Sequence, residues 1–356
     1  MRGLDLCNHR NKTSFQWWIA AAQASEATRF FERLWLAMTP GMIMARKKSN
    51  KKSSARDSSA YIDPFRIDDA EKFHLASHKT AQKGDLDKDT AKEVLEAKSK
   101  RLSELQERLY AENRWALLVI FQGLDAAGKD SAVEHVMRGV NPQGCEVHSF
   151  KVPTSEELDH DFMWRSSVRL PPRGRIGIFN RSYYEELLVA RVHPEVLARQ
   201  RLPGKLVTRN IWRERFQDIS DYERYLTHNG TVILKFFLHT SKEEQRQRFL
   251  ERLEIPSKRW KFSMGDIAER AQWDKYQAAY QDLIRHTSTA HAPWYVVPAD
   301  HKWFARVVIG ATIVQALEKL DPKYPRVDPA SLNEFDQVRK ALEAEARESS
   351  SKRSKR

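Results

Sequence analysis

The apolar positions of this chain fall into two patterns. Short apolar or alternating runs, bounded by turn residues, are separated by longer stretches in which apolar residues return at intervals of three and four. The first pattern reads as strands of a covered sheet, the second as amphipathic helices packed on it. Five runs are of the first kind: W-A-L-L-V-I-F from Trp115 to Phe121, C-E-V-H-S-F after the turn N-P-Q-G (Asn141 to Gly144), R-I-G-I-F-N from Arg175 to Asn180, T-V-I-L-K-F-F-L from Thr231 to Leu238, and W-Y-V-V-P-A from Trp294 to Ala299. The second kind predicts a helix between Asp87 and Glu112, carrying Val94, Leu95, Leu102, Leu105 and Leu109. It also predicts one through Val133, Val136 and Met137, one from Ser155 to Val168, one opening at Ser241 with the S-x-x-E of a capping box, and one from Trp303 to Leu320. Strands alternating with helices imply a parallel sheet with helices on both faces. No internal repeat is present.

The first strand runs into G-L-D-A-A-G-K-D-S, from Gly123 to Ser131. Gly123 and Gly128 let a turn point its N–H groups inward, Lys129 adds a positive charge, and a helix starting near Asp130 adds its dipole. A strand, a Gly-rich turn and a helix in that order make a site for polyphosphorylated ligands. The spacing G-x-x-x-x-G-K is that of a P-loop, except that Asp130 stands where a Ser or Thr would bind Mg²⁺, and Ser131 comes one residue late. Asp125 and Asp130 supply hard oxygens in its place. The third strand ends in N-R-S-Y-Y-E-E, with Asn180 where a P-loop enzyme usually carries an acid. Either Asp125 then carries more of the metal, or Glu185 and Glu186 contribute through water; a charged first helical turn explains the two glutamates equally well. Arg181 offers a planar fork suited to phosphate oxygens, and Lys151 stands at the carboxyl end of the second strand, where α/β sheets bind ligands. The fold expected is a P-loop kinase-like three-layer α/β/α sandwich with a five-stranded parallel sheet and a helical lid.

Charge sharpens this picture. Lys and Arg number 61 against 48 Asp and Glu, a net +13, which predicts attraction to a polyanion without saying which. The cations Arg246, Arg248, Arg252, Lys258, Arg259 and Lys261, followed by more helix, read as a lid over about 241–282 that closes on phosphates. Residues 1–60 form a basic extension in which 45–60 cannot bury a core and are expected to be disordered; Met44, opening M-A-R-K-K-S, reads as an alternative start. The folded domain is expected over 61–325, with Tyr61, Phe65 and Ile67 as first anchors, and 326–356 as a charged helix ending in a disordered basic tail. Cys7 and Cys145 lack zinc or disulfide spacing, and no apolar run reaches about 18 residues. A cytoplasmic enzyme without a membrane partner or a specific nucleic-acid partner follows.

In order, G-L-D-A-A-G-K-D, N-P-Q-G, F-N-R-S-Y-Y-E-E and K-R-W-K-F resemble the polyphosphate kinase 2 family, over about Tyr61 to Pro325. The resemblance implies Mg²⁺-dependent transfer of a phosphoryl group between inorganic polyphosphate and a nucleoside mono- or diphosphate, with Mn²⁺ as an alternative metal, and a homo-oligomer. It makes Asp125, Lys129 and Arg181 catalytic, with Asp125 on the metal and Asn180 beside it. Gly123, Gly128, Lys151, Arg165, Arg259 and Lys261 become phosphate contacts, and Glu185 a contact of the acceptor nucleotide. Asn-Arg-Ser followed by Tyr and Glu resembles the branch that accepts both AMP and ADP, with GMP and GDP as further acceptors. The alternatives are an ATP-dependent small-molecule kinase on the same fold and a nucleic-acid-binding ATPase.

Overall fold

The computed structural model describes residues 58–354; the expectations for residues 1–57, including the start at Met44, lie outside them. Helix α1 (Lys88–Glu112) opens on Asp87, whose side chain accepts the N–H of Thr90, and buries Leu102, Leu105 and Leu109. It leads into β1 (Ala116–Gln122), which is buried along its whole length. After the phosphate turn come α2 (Lys129–Val136) and β2 (Cys145–Ser149). The helix expected over Ser155 to Val168 is broken in two, α3 (Ser155–Asp159) and α4 (Trp164–Ser167). The Thr154–Glu157 capping box starts α3, but His160 is extended and the side chain of Asp161 takes the N–H of Met163. An Asp that bonds its own neighbouring backbone competes with the helix there.

β3 (Ile176–Asn180) is followed by α5 (Glu185–Val192), the helix whose first turn was one reading of Glu185 and Glu186, and by two helices absent from the sequence reading, α6 (Pro194–Arg199) and α7 (Ile211–His228). Then come β4 (Thr231–His239), α8 (Lys242–Glu254), a 3₁₀ segment (Pro256–Lys261), α9 (Met264–Ala271) and α10 (Trp273–Thr287). β5 (Trp294–Pro298), α11 (Lys302–Leu320) and α12 (Pro329–Ser354) end the described chain. α12 continues to Ser354, so most of the tail expected to be disordered is helical.

The strands are all parallel, in the order β2-β3-β1-β4-β5. Alternate residues of β1 face opposite layers. Leu117, Val119 and Phe121 pack with α1, α2 and α11, while Leu118 and Ile120 pack with α5, α7 and α10. Tyr61, Ile62 and Phe65 join the first layer and Ile67 the second, so the N-terminal anchors are part of the core. Because the chain leaves β1 toward β2 and later crosses back to β4, the carboxyl ends of β1 and β3 border a crevice, the place where ligands bind in such sheets. No helix among the described residues is long and apolar enough to cross a membrane.

Candidate active site

Two loops meet in that crevice. The loop after β1 turns through Ala126 at φ 63° and Gly128 at φ 103°, and Gly128 begins α2 without a side-chain cap. The first N–H groups of α2 therefore lack a side-chain partner at the cap and carry the positive end of its dipole. Gly123 is needed for a different reason: a Cβ there would stand 3.1 Å from both Ala127 Cβ and the Leu238 carbonyl oxygen. The loop is stapled from behind by Arg248, whose guanidinium donates to the carbonyls of Ala126 (2.9 Å) and Ala127 (2.8 Å), and by Gln245, which donates to the Asp125 carbonyl (2.9 Å). Arg248 is 3 % exposed. It is thus a fixture of the phosphate loop and not one of the free lid cations expected from its sequence neighbourhood.

Lys129 is 8 % exposed, and its Nζ donates to the carbonyls of Gly123 (2.6 Å) and Leu124 (3.2 Å). Burial first, and the nearby Arg181 charge second, push its pKa down to about 8, against the opposing pull of Asp125, Glu185 and Asp130. The second loop, after β3, brings Arg181 in the left-handed conformation (φ 64°) with its N–H on the Phe121 carbonyl, 3.0 Å. Its guanidinium bridges Asp125 Oδ1 (2.5 Å) and Glu185 Oε2 (2.9 Å). Those carboxylates, Glu185 foremost, hold it firmly protonated. Asn180 Nδ2 donates to Asp130 Oδ1 at 2.6 Å, so the two residues that depart from the usual P-loop pattern are bonded to each other. Ser131 faces away, its hydroxyl taking Arg306 of α11.

A cavity of about 460 Å³ opens onto Gly123, Asp125, Arg181 and Glu185. Lys151 and Arg165 also line it; Arg165 donates to the Lys151 carbonyl (2.8 Å) and lies over the Phe150 ring (5.3 Å). Its far wall is apolar, with Val152, Leu158, Leu188, Val189 and Val196. Arg259 and Lys261 are not among the lining residues: they ride on the exposed 3₁₀ segment, where Arg259 donates to the Leu253 carbonyl (2.8 Å) and Lys261 lies 5.2 Å from the Trp260 ring centroid. Glu185 and Glu186 do form a first helical turn, yet they part company. Glu185 holds Arg181, whereas Glu186 is buried against Arg215 (2.9 Å), and burial pushes its pKa up.

Sequence reading missed several residues that shape this site. Gln245 was hidden because a polar residue on an amphipathic helix reads as a solvated face, and Arg248 was read as a lid cation, not as a fixture of the loop. The lining residues Arg199, Glu269, Arg270, Tyr276 and Tyr280 sit on helices whose approach to the sheet no local pattern reveals. The chemistry of the donor set fits a hard divalent cation. Mg²⁺ keeps several waters and needs only one or two protein carboxylates beside the phosphates, and Asp125 on the loop and Asp130 in the first turn of α2 bring carboxylates.

A Gly-rich phosphate loop between the first strand and its helix, at the crevice of a five-stranded parallel sheet, defines a P-loop kinase-like α/β protein. The description Polyphosphate kinase 2 matches residues 85–325. An ADP-polyphosphate phosphotransferase of Rhodopseudomonas palustris is 48% identical over 280 residues, covering 78% of this chain and 97% of the relative. An AMP/ADP-polyphosphate phosphotransferase of Meiothermus ruber is 47% identical over 244 residues, covering 68% and 87%. The crystal structure of polyphosphate kinase 2 from Arthrobacter aurescens TC1 superposes with a TM-score of 0.71 at 38% identity, covering 78% of this chain and 96% of that one. The chain belongs to the polyphosphate kinase 2 family.

Proposed function

We propose that this chain transfers a phosphoryl group between inorganic polyphosphate and a nucleotide, with ADP and AMP as acceptors. The observation that carries the reading is the joint placement of a buried lysine, an arginine fork and an apolar-walled cavity at one crevice. The apolar wall suits a base and the cationic floor suits a chain of phosphates. Phosphoryl transfer asks little covalent chemistry of a protein, so positioning and charge neutralisation supply most of the rate.

In this reading Lys129 exchanges its two carbonyl partners for the oxygens of the transferring phosphoryl group. Arg181, already oriented by Asp125 and Glu185, meets the charge that develops during transfer. Lys151 and Arg165 hold the phosphates that follow along the cavity floor. Asp125 and Asp130, with Asn180 beside them, would hold Mg²⁺, or Mn²⁺ in its place, and the ion would neutralise charge shared between donor and acceptor phosphates. The names of the two relatives support ADP first and AMP second. An ATP-dependent small-molecule kinase would not need so cationic a floor. Incubating the purified chain with polyphosphate, Mg²⁺ and either ADP or AMP, with no ATP added, tests the proposal. ATP from ADP, and ADP from AMP, are the expected products; no product from either acceptor would overturn it.

A further inference from the structure

The turn that carries Arg181 and Glu185 also contains Tyr183 and Tyr184, and neither tyrosine reaches the cavity: they are 1 % and 0 % exposed. Their hydroxyls both donate to Glu223 Oε1, at 2.9 and 2.7 Å. The other oxygen of Glu223 accepts from Lys235 Nζ at 2.6 Å, and Lys235 also donates to the Tyr184 hydroxyl (3.0 Å) and the Thr287 carbonyl (2.7 Å). Trp294 Nε1 completes the set by donating to Thr287 Oγ1 at 2.9 Å. Glu223 and Lys235 are wholly buried. The network thus ties α7, β4, α10 and β5 to the single turn after β3, and all three ammonium hydrogens of Lys235 are used.

Stability gives little reason for such a pair. Two ions taken out of water lose hydration that their attraction barely returns, and well-packed apolar residues of the same volume are commonly as stable. A rigid anchor inside the core is what apolar residues would not provide, since hydrogen bonds fix direction where packing fixes only volume. The turn needs an anchor. Arg181 lies in a left-handed conformation that a residue with a Cβ adopts only when its surroundings impose it. It lies two residues before Tyr183, and Glu185 directly follows Tyr184. Within the turn, the Tyr184 N–H also bonds Ser182 Oγ (3.2 Å).

We propose that the buried Glu223–Lys235 pair is a positioning device for phosphoryl transfer: by holding the hydroxyls of Tyr183 and Tyr184 it fixes the turn that aims Arg181 and Glu185 at the phosphates. Glu223, Lys235 and the two tyrosines act through Arg181 and touch no substrate. The proposal rests on the phosphotransferase reading, which wild-type turnover tests by itself; a wild type inactive with polyphosphate and either acceptor would overturn both.

The test is a cycle of Tyr184→Phe and Glu223→Gln, each made in the wild type and in Arg181→Lys, with kcat, KM for ADP and the thermal midpoint measured for all six proteins. A positioning role predicts that Tyr184→Phe lowers kcat about tenfold with KM changed less than about threefold, and that in the Arg181→Lys background the same change costs less than about threefold. Glu223→Gln is expected to show the same non-additivity with a larger loss. Should Glu223→Gln fail to fold, Tyr184→Phe decides alone, because it removes one hydroxyl and leaves Tyr183 on Glu223. A lowered midpoint with unchanged kcat, or equal losses in both backgrounds, would show a merely structural ion pair and overturn the proposal.

Discussion

Two lysines are buried among the described residues, and their surroundings differ in one respect. Lys235 is wholly buried and saturated: a carboxylate, a hydroxyl and a carbonyl take its three hydrogens. Lys129 is nearly as buried, yet its amine bonds only two backbone carbonyls and makes no ion pair among the described residues. Both lose hydration, and burial lowers the pKa of both. The fold supplies the counter-charge of Lys235. Lys129 has Asp125, Glu185 and Asp130 nearby but no direct ion-pair partner, and that partner is left for a ligand to supply, which is how a site can be costly to the free protein and strong toward a polyanion.

The comparison breaks most sharply under substitution by Met, which keeps the length of the stem. Lys129→Met is expected to cut turnover on the order of 1,000-fold, as losing a charge aimed at the transition state does. The same change is expected to stabilise the fold at pH 7. Its folded-state pKa of about 8 lies below the ordinary 10.5, so the unfolded chain binds more protons between those values. Stability therefore rises with pH across that window, and at pH 7 the whole penalty is present. Removing it is worth up to about 3 kcal/mol in a urea titration. Lys235→Met should do the opposite to the fold and lose about 3–5 kcal/mol, because Glu223 is left buried and unpaired, while Lys235→Met with Glu223→Leu should recover most of that. Stability changes of the same sign at the two lysines would break the comparison.

A smaller effect separates the carboxylates from the lysine. Asp125→Asn removes a charge from Arg181 and from the proposed Mg²⁺ position while keeping the shape, so the Mg²⁺ concentration for half-maximal rate should rise about tenfold or more. Asn180→Asp, which puts the usual acid back beside Asp130, should leave that requirement unchanged or lower it. An Asp125→Asn curve that overlays the wild type would reduce Asp125 to a turn residue.

A further effect is in pH. Below pH 8 the Lys129 amine of the free enzyme is charged, and KM for polyphosphate should be flat. Above it the neutral amine must regain its proton on binding, so KM should rise by up to about tenfold per pH unit until near pH 10. Lys129→Arg, always charged, should abolish that rise.

Much of this was legible in the sequence. The five strands were marked by apolar or alternating runs bounded by turn residues, and the phosphate loop by Gly123 and Gly128, which give it close approach and a left-handed turn. Arg181 and Asp125 followed from their motifs. The partners of those residues were not legible, because Arg248, Glu223 and Lys235 are polar residues whose burial depends on which helix lands on which face. Lys235 in particular reads as a break in an apolar strand, and only the arrival of α7 gives it Glu223. Arg259 and Lys261 show the converse limit, since a dense run of cations does not say where it points, and the structure places both on the 3₁₀ segment outside the cavity lining.

The decisive point is that Lys129 has no ion-pair partner until a phosphate arrives, the nearby Asp125, Glu185 and Asp130 offsetting only part of its burial. It is tested most directly by following the Lys129 side-chain resonance in lysine-labelled protein through a pH titration, assigned by its absence in Lys129→Arg. The account predicts a midpoint near 8 in the free protein that moves up by a unit or more when polyphosphate is bound. A midpoint at the ordinary value for lysine in the free protein, or one that polyphosphate leaves where it was, would contradict it.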